Sequence, residues 1–243
     1  MKVTFLGTSH GVPEVNRRCT SILLTVGKAY YIIDAGVPLF ATLRSRSIDP
    51  HDLKAIFLTH MHGDHSNGLI EFVDLLTWHD KDVRPSIWVP EIAAHDAMAG
   101  WLRLTHGKDV QDDMPAFSEV KPGAFYDDGV LRVTAIDNDH LPDRPSYSYL
   151  VEAEGKRLVF TGDMGHDNYR DFPKAAMTQT CDLVVSEAAH CLLSECEPVF
   201  SLVKTKKLVI THIVPRNESE AVKLDTMVPY PVKVAFDGME IEL

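Results

Sequence analysis

The chain has 243 residues, 45% apolar and 24% charged, an ordinary balance for a soluble globular protein with room for a sizeable core. Its formal net charge of −11 disfavours a phosphate backbone as the main partner. No stretch approaches the roughly 20 apolar residues of a membrane span, and Cys19, Cys181, Cys191 and Cys196 form no CxxC pair, so they read as free thiols of a reducing compartment.

Lys2–Leu6 reads as a first strand. Its apolar run is too short for a signal peptide, so the expected location is the cytoplasm. A loop with two glycines and a proline follows. Cys19–Val26 and Ala29–Asp34 read as strands joined by a tight turn at Gly27-Lys28. The second ends in Asp34-Ala35-Gly36, where the carboxylate serves as a cap for a helix over Val37–Ser45, as a support behind a metal site, or as both. Asp49 caps a short turn that opens at Pro50, and Ala55–Leu58 is a buried strand.

That strand runs into Thr59-His60-Met61-His62-Gly63-Asp64-His65, with four metal-competent side chains in six residues. His60 and His62 share a face if the backbone is extended. A bend at Gly63 turns Asp64 and His65 toward a second point, which suggests two ions rather than one. A helix is expected over Asn67–His79, a strand over Ser86–Val89 and a helix over Glu91–Leu104. Thr105–Asp128 is irregular and acidic, and reads as a loop with short strands at most. It either borders a cleft or is an ordinary surface excursion.

Strands are expected again at Val130–Ile136, Ser146–Glu152, Arg157–Thr161, Asp182–Ser186 and Lys207–Thr211. Val232–Phe236 and Met239–Leu243 read as a closing pair that turns at Asp237-Gly238. No repeat or linker shows, so residues 1–243 are expected to form one domain. Four apolar strands are followed by a potential ligand: His60, His140, Asp163 and His212. Strands of one sheet bring their C-terminal ends to one edge, where such side chains can converge.

The HxHxDH form of His60–His65, followed in order by His140, Asp163 in Thr161-Gly162-Asp163, and His212, resembles the metallo-β-lactamase superfamily. Asp34 resembles that superfamily's first motif. The resemblance implies an α/β fold: a four-layer αβ/βα sandwich of two mixed β-sheets flanked by helices, with metals at one edge. It implies one ion held by His60, His62 and His140, another by Asp64, His65 and His212, and Asp163 between them, with Asp34 orienting an imidazole from behind. Zn²⁺ suits these ligands, and Mn²⁺ or Fe²⁺ is also compatible. A hydroxide shared by two ions about 3.5–4 Å apart is the expected nucleophile.

Phe5-Leu6-Gly7-Thr8, Asn16–Ser21, Pro145–Tyr149, Ser186-Glu187-Ala188 and Leu208–His212 narrow the resemblance to the branch of tRNase Z and the cyclic phosphodiesterase of the carbon–phosphorus lyase pathway. The expected activity is therefore metal-dependent phosphodiester hydrolysis of a small molecule or short nucleotide. Asp64 and Glu187 are the expected catalytic side chains, Glu187 as a proton donor or as a support for a neighbour. The chain lacks the Gly/Pro-rich arm and the second His-Ser-Thr motif of tRNase Z, which argues against tRNA as substrate. Hydrolysis of a lactone or thioester at the same site is the alternative reaction, and a metal-binding sensor without turnover is the alternative class. His166, Asp167 and Ser9-His10 either touch substrate or are plain loop residues, and His190 with Cys191 and Cys196 matches no zinc pattern. Superfamily relatives form homodimers, and one is expected here.

Overall fold

A computed structural model describes residues 1–243. The strands are β1 (Lys2–Gly7), β2 (Ser21–Val26), β3 (Ala29–Ile33), β4 (Leu53–Phe57), β5 (Ser86–Val89), β6 (Phe117–Glu119), β7 (Gly123–Asp127), β8 (Arg132–Asp137), β9 (Tyr147–Ala153), β10 (Lys156–Phe160), β11 (Leu183–Ala188), β12 (Leu208–Ile213), β13 (Val232–Val234) and β14 (Glu240–Glu242). The helices are α1 (Leu39–Ser45), α2 (Gly63–Trp78), α3 (Ala93–His106), α4 (Ala175–Thr178), α5 (Leu193–Phe200) and α6 (Pro215–Leu224). No helix is long and apolar enough to cross a membrane.

The strands form two seven-stranded mixed sheets, ordered β14-β1-β2-β3-β4-β5-β6 and β13-β12-β11-β10-β9-β8-β7. Apolar alternation explains the layers. On β2, Ile22, Leu24 and Val26 enter a core shared with Val151, Val185 and Val209 of the other sheet. Leu23, on the opposite face of the same strand, packs with Leu43, Phe72 and Leu76 of α1 and α2. In the second sheet Leu208 and Ile210 pack outward with Phe200, Ala221 and Leu224 of α5 and α6. The result is the four-layer sandwich expected from the sequence.

β3 to β6 run parallel, as do β10 to β13. β1 is related to β3, and β8 to β10, through one intervening antiparallel strand. The ends of β1, β3, β4, β8, β10, β11 and β12 therefore share one edge. The candidate ligands thus come from both sheets, not from one.

The structure corrects several expectations. The last two strands do not pair with each other. β13 lies parallel to β12, while β14 lies antiparallel to β1 in the other sheet. Asp237-Gly238 is the crossover: Gly238 N–H donates to Phe5 O at 2.7 Å, and Asp237 accepts from Thr8 Oγ1 and Arg18 N at 2.8 Å. α2 starts at Gly63 rather than Asn67, so Asp64 and His65 occupy its first turn. Two close approaches seat that turn. A Cβ on Gly36 would lie 1.9 Å from Asp64 O, and one on Gly68 1.8 Å from Val37 O. Helices α4, α5 and α6 lie in segments for which no element was predicted, whereas the short strands allowed within Thr105–Asp128 are present as β6 and β7, one at an edge of each sheet.

Candidate metal centre

His60 leaves β4 into the interior and is fully buried, while His62 sits at the N-cap of α2 and Asp64 and His65 follow in its first turn. His140 lies on the loop after β8 and Asp163 on the loop after β10. His212 occupies β12 itself, with φ 46° turning its side chain toward the edge. All seven side chains come together. Donor atoms of His60, His62, His140 and Asp163 lie within 4.8 Å of one another, and so do those of Asp64, His65, Asp163 and His212. Asp163 belongs to both sets. Its Oδ2 is 3.2 Å from His212 Nε2 and 3.8 Å from both His60 Nε2 and His140 Nε2, and its Oδ1 is 3.3 Å from His65 Nε2.

These donors fit a pair of cations. His60 Nε2, His65 Nε2 and Asp163 Oδ1, all facing the centre, are buried without a hydrogen-bond partner. Each such orphan costs about 1–3 kcal/mol unless something binds it. Burial and the neighbouring His65 hold His60 well below the usual imidazole range, and burial pushes His140 down to about 4. Both therefore offer lone pairs at neutral pH. Burial works against charge on His65, yet Asp163 and Asp34 outweigh it and hold its pKa well above the ordinary value. Binding a cation through His65 Nε2 would therefore release a proton.

The imidazoles are held from behind. His65 Nδ1 donates to Asp34 Oδ2 at 2.8 Å, leaving Nε2 for the centre. Asp34 also accepts from Thr59 N and Thr59 Oγ1, at 2.8 and 2.9 Å. It does not cap α1, whose N-cap is Pro38. His212 Nδ1 pairs with Thr20 Oγ1 at 2.7 Å.

Of the two expectations for Glu187, proton donor or support for a neighbour, its contacts match the support, with His190 rather than His212 as the neighbour. Its carboxylate accepts from Met164 N, Ala189 N and His190 N, and lies 3.0 Å from His190 Nδ1. Those bonds occupy its acceptors and leave it behind His190 rather than facing the donors. His190, named in the sequence only with Cys191 and Cys196 as matching no zinc pattern, is the further side chain at the donors. Its Nε2 is 3.8 Å from Asp163 Oδ2, and its ring stacks on His212 at 5.9 Å. The available signal was Glu and His at i and i+3 where a strand ends. His166 joins the rim: its Nδ1 is 3.3 Å from His190 O, and His140, His166 and His190 have donor atoms within 4.8 Å of one another. Asp167 pairs with Arg170 and His10 with Glu14, while Gly11, next to His10, lies against the Asp64 carboxylate.

A family model described as "Anti-Pycsar protein Apyc1" matches residues 1–228. Ribonuclease Z of Listeria monocytogenes serotype 4b (strain CLIP80459) is 31% identical over 147 residues, covering 58% of this chain and 46% of that protein. The match thus spans about half the length of that relative. Among solved structures, the metallo-β-lactamase fold protein YhfI of Bacillus subtilis superposes with TM-score 0.77 at 18% identity, covering 100% of this chain and 99% of that one. The short form of human tRNase Z superposes with TM-score 0.73 at 20% identity, with coverage of 100% and 99%. At these identities the likeness establishes the fold, and it is the metallo-β-lactamase fold that the sequence resembles.

Proposed function

The chain belongs to the anti-Pycsar protein Apyc1 family, and from the edge of its two sheets we propose that it is a dinuclear metal-dependent phosphodiesterase acting on a small molecule or short nucleotide. The observation that carries this reading is the pair of four-donor sets joined by Asp163. The matched ribonuclease Z and tRNase Z relatives support it at the level of reaction class.

Divalent ions held by these donors, Zn²⁺ first among them, supply Lewis acidity toward phosphoryl oxygens and a nucleophilic water at neutral pH. The chain's own residues do the rest. Asp34 and Thr20 fix the faces of His65 and His212. His190 reaches the open side of the donors with Nε2, and Glu187 holds its other nitrogen. Burial disfavours charge on His190, but Glu187 outweighs it and raises its pKa. His190 is thereby placed to hydrogen-bond a phosphoryl oxygen or to pass a proton to the leaving oxygen. Asp64 completes one donor set and contributes through it, which is the catalytic part assigned to it.

The net charge of −11 and the folding of Thr105–Asp128 into edge strands support a small substrate over tRNA. We take residues 1–243 as one unit because the inter-sheet core draws on both halves of the chain. A homodimer belongs to the same proposal. Trp101 and Leu104 are 56% and 79% exposed on α3, and sedimentation equilibrium tests it.

The test is turnover of bis-p-nitrophenyl phosphate beside lactone and thioester panels, with Asp163→Ala as control. Phosphodiester turnover that disappears in the folded variant supports the proposal, and turnover unchanged in the variant overturns it. Activity on lactones or thioesters alone would move the reaction to carbonyl carbon. Bound metal with no activity on any panel would leave a sensor.

A further inference from the structure

β8 and β10 are separated by β9, so sheet geometry alone leaves their ends roughly 10 Å apart, two strand spacings. His140 follows β8 and Asp163 follows β10, yet His140 Nε2 lies 3.8 Å from Asp163 Oδ2. The loops must close that gap. His65 and His212 have side chains behind them that orient the ring, whereas His140 Nδ1 is buried with no partner. The position of His140 must therefore come from its backbone.

Two side chains outside the donor sets supply that hold. Asn138, 8% exposed, donates through Nδ2 to Asp163 O at 2.9 Å and to Thr161 O at 3.3 Å, and its Oδ1 accepts from His140 N at 3.3 Å. Asp171 Oδ2 accepts from Asp139 N and from Gly165 N, each at 2.9 Å. Each side chain thus spans from the His140 loop to the Asp163 loop. Asp171 can reach back because the chain reverses after His166, with Asn168 and Tyr169 both left-handed at φ 50° and 56°. Non-glycine residues hold that conformation only where their surroundings enforce it. Here Tyr169 is fully buried and donates its hydroxyl to Glu187 O at 3.1 Å, and Phe172 is anchored edge-on against Phe200.

We propose that Asp171 and Asn138 are positioning residues that set the separation of His140 from Asp163, and so govern the metal affinity of the His60–His62–His140–Asp163 set in preference to the other. The proposal rests on the metal-centre reading above. Because one oxygen of Asp171 takes both N–H groups, an amide oxygen can replace it.

The test is calorimetric titration of Zn²⁺ into metal-stripped wild type, Asp171→Ala, Asp171→Asn and Asn138→Ala, each checked by circular dichroism. Wild type is expected to show two binding events. In Asp171→Ala and Asn138→Ala, one event is expected to weaken by about 10–100-fold, the scale for lost outer partners of a ligand, while the other holds. Asp171→Asn is expected to stay close to wild type. Amide exchange at Asp139 and Gly165, followed in the metal-free proteins, is expected to quicken in Asp171→Ala only. Two unchanged affinities in folded Asp171→Ala would overturn the proposal, as would equal weakening of both events. Should Asp171→Ala not fold, Asn138→Ala decides on the same criterion. A wild type that binds no metal would overturn the metal-centre reading, and this inference with it.

Discussion

Asp34 illustrates how one side chain carries several duties. At φ 60° it turns the chain after β3, and its carboxylate answers a buried N–H, a hydroxyl and an imidazole. Asp34→Ala would leave Thr59 N unsatisfied, at about 1–3 kcal/mol by urea unfolding. It would also free the His65 ring, weakening metal binding by about 10–100-fold in a zinc titration. His190 makes a prediction of a different kind. His190→Ala should slow hydrolysis of an alkyl ester of phosphate by about 10²–10⁴-fold, the usual reach of a proton donor, and slow the p-nitrophenyl ester much less. Equal loss on both substrates would reduce His190 to a contact residue. The seven candidate donors were legible in the sequence because each stands at or just past the end of an apolar run or in a dense motif. The placements of His190, Asn138 and Asp171, and the neighbour that Glu187 supports, were not, since each depends on which way a side chain faces across a loop.

At the scale of elements, the first turn of α2 does the most to build the centre. His62 is extended at φ −63°, ψ 148°, and the helix then begins at Gly63, aiming Asp64 and His65 at the shared edge. The apolar periodicity that marks this helix starts only at Leu69, so its polar first turn resembled a loop. Gly68→Ala would drive a methyl into Val37 O and push α2 off the sheet. A destabilisation of about 1–3 kcal/mol or more is expected, with loss of metal affinity, by thermal melts with and without Zn²⁺. Away from the centre, His51 lies 3.0 Å from Asp82 and 2.7 Å from Asp49, linking the turn before β4 to the segment after α2. Hydrogen bonds that its ring donates to Asp82 and then to Asp49 raise its pKa to about 9. A raised pKa adds stability that is complete below the ordinary value of about 6.5 and fades as pH rises through 9. An NMR titration of the His51 ring should show the high midpoint, and Asp82→Asn should lower it.

Across the whole molecule, two sheets of opposite origin in the chain deliver one site. The apolar runs Ile22-Leu23-Leu24 and Leu208-Val209-Ile210 marked strands, which prove to be buried on both faces, while the layered sandwich was legible only through the family resemblance. Strand partnership was less legible. β13 and β14 are both genuine strands near the end of the chain, and their adjacency in sequence suggested a hairpin. Each instead meets a partner distant in sequence or in the other sheet, because Asp237 and Gly238 are held by Thr8, Arg18 and Phe5. We propose that this shared edge holds two ions. Metal analysis of protein purified without chelator tests it most directly, with Asp163→Ala and Asp64→Ala in parallel. Two equivalents of divalent transition metal per chain are predicted, lost in Asp163→Ala and reduced in Asp64→Ala. Less than one equivalent in the folded wild-type protein would contradict the claim.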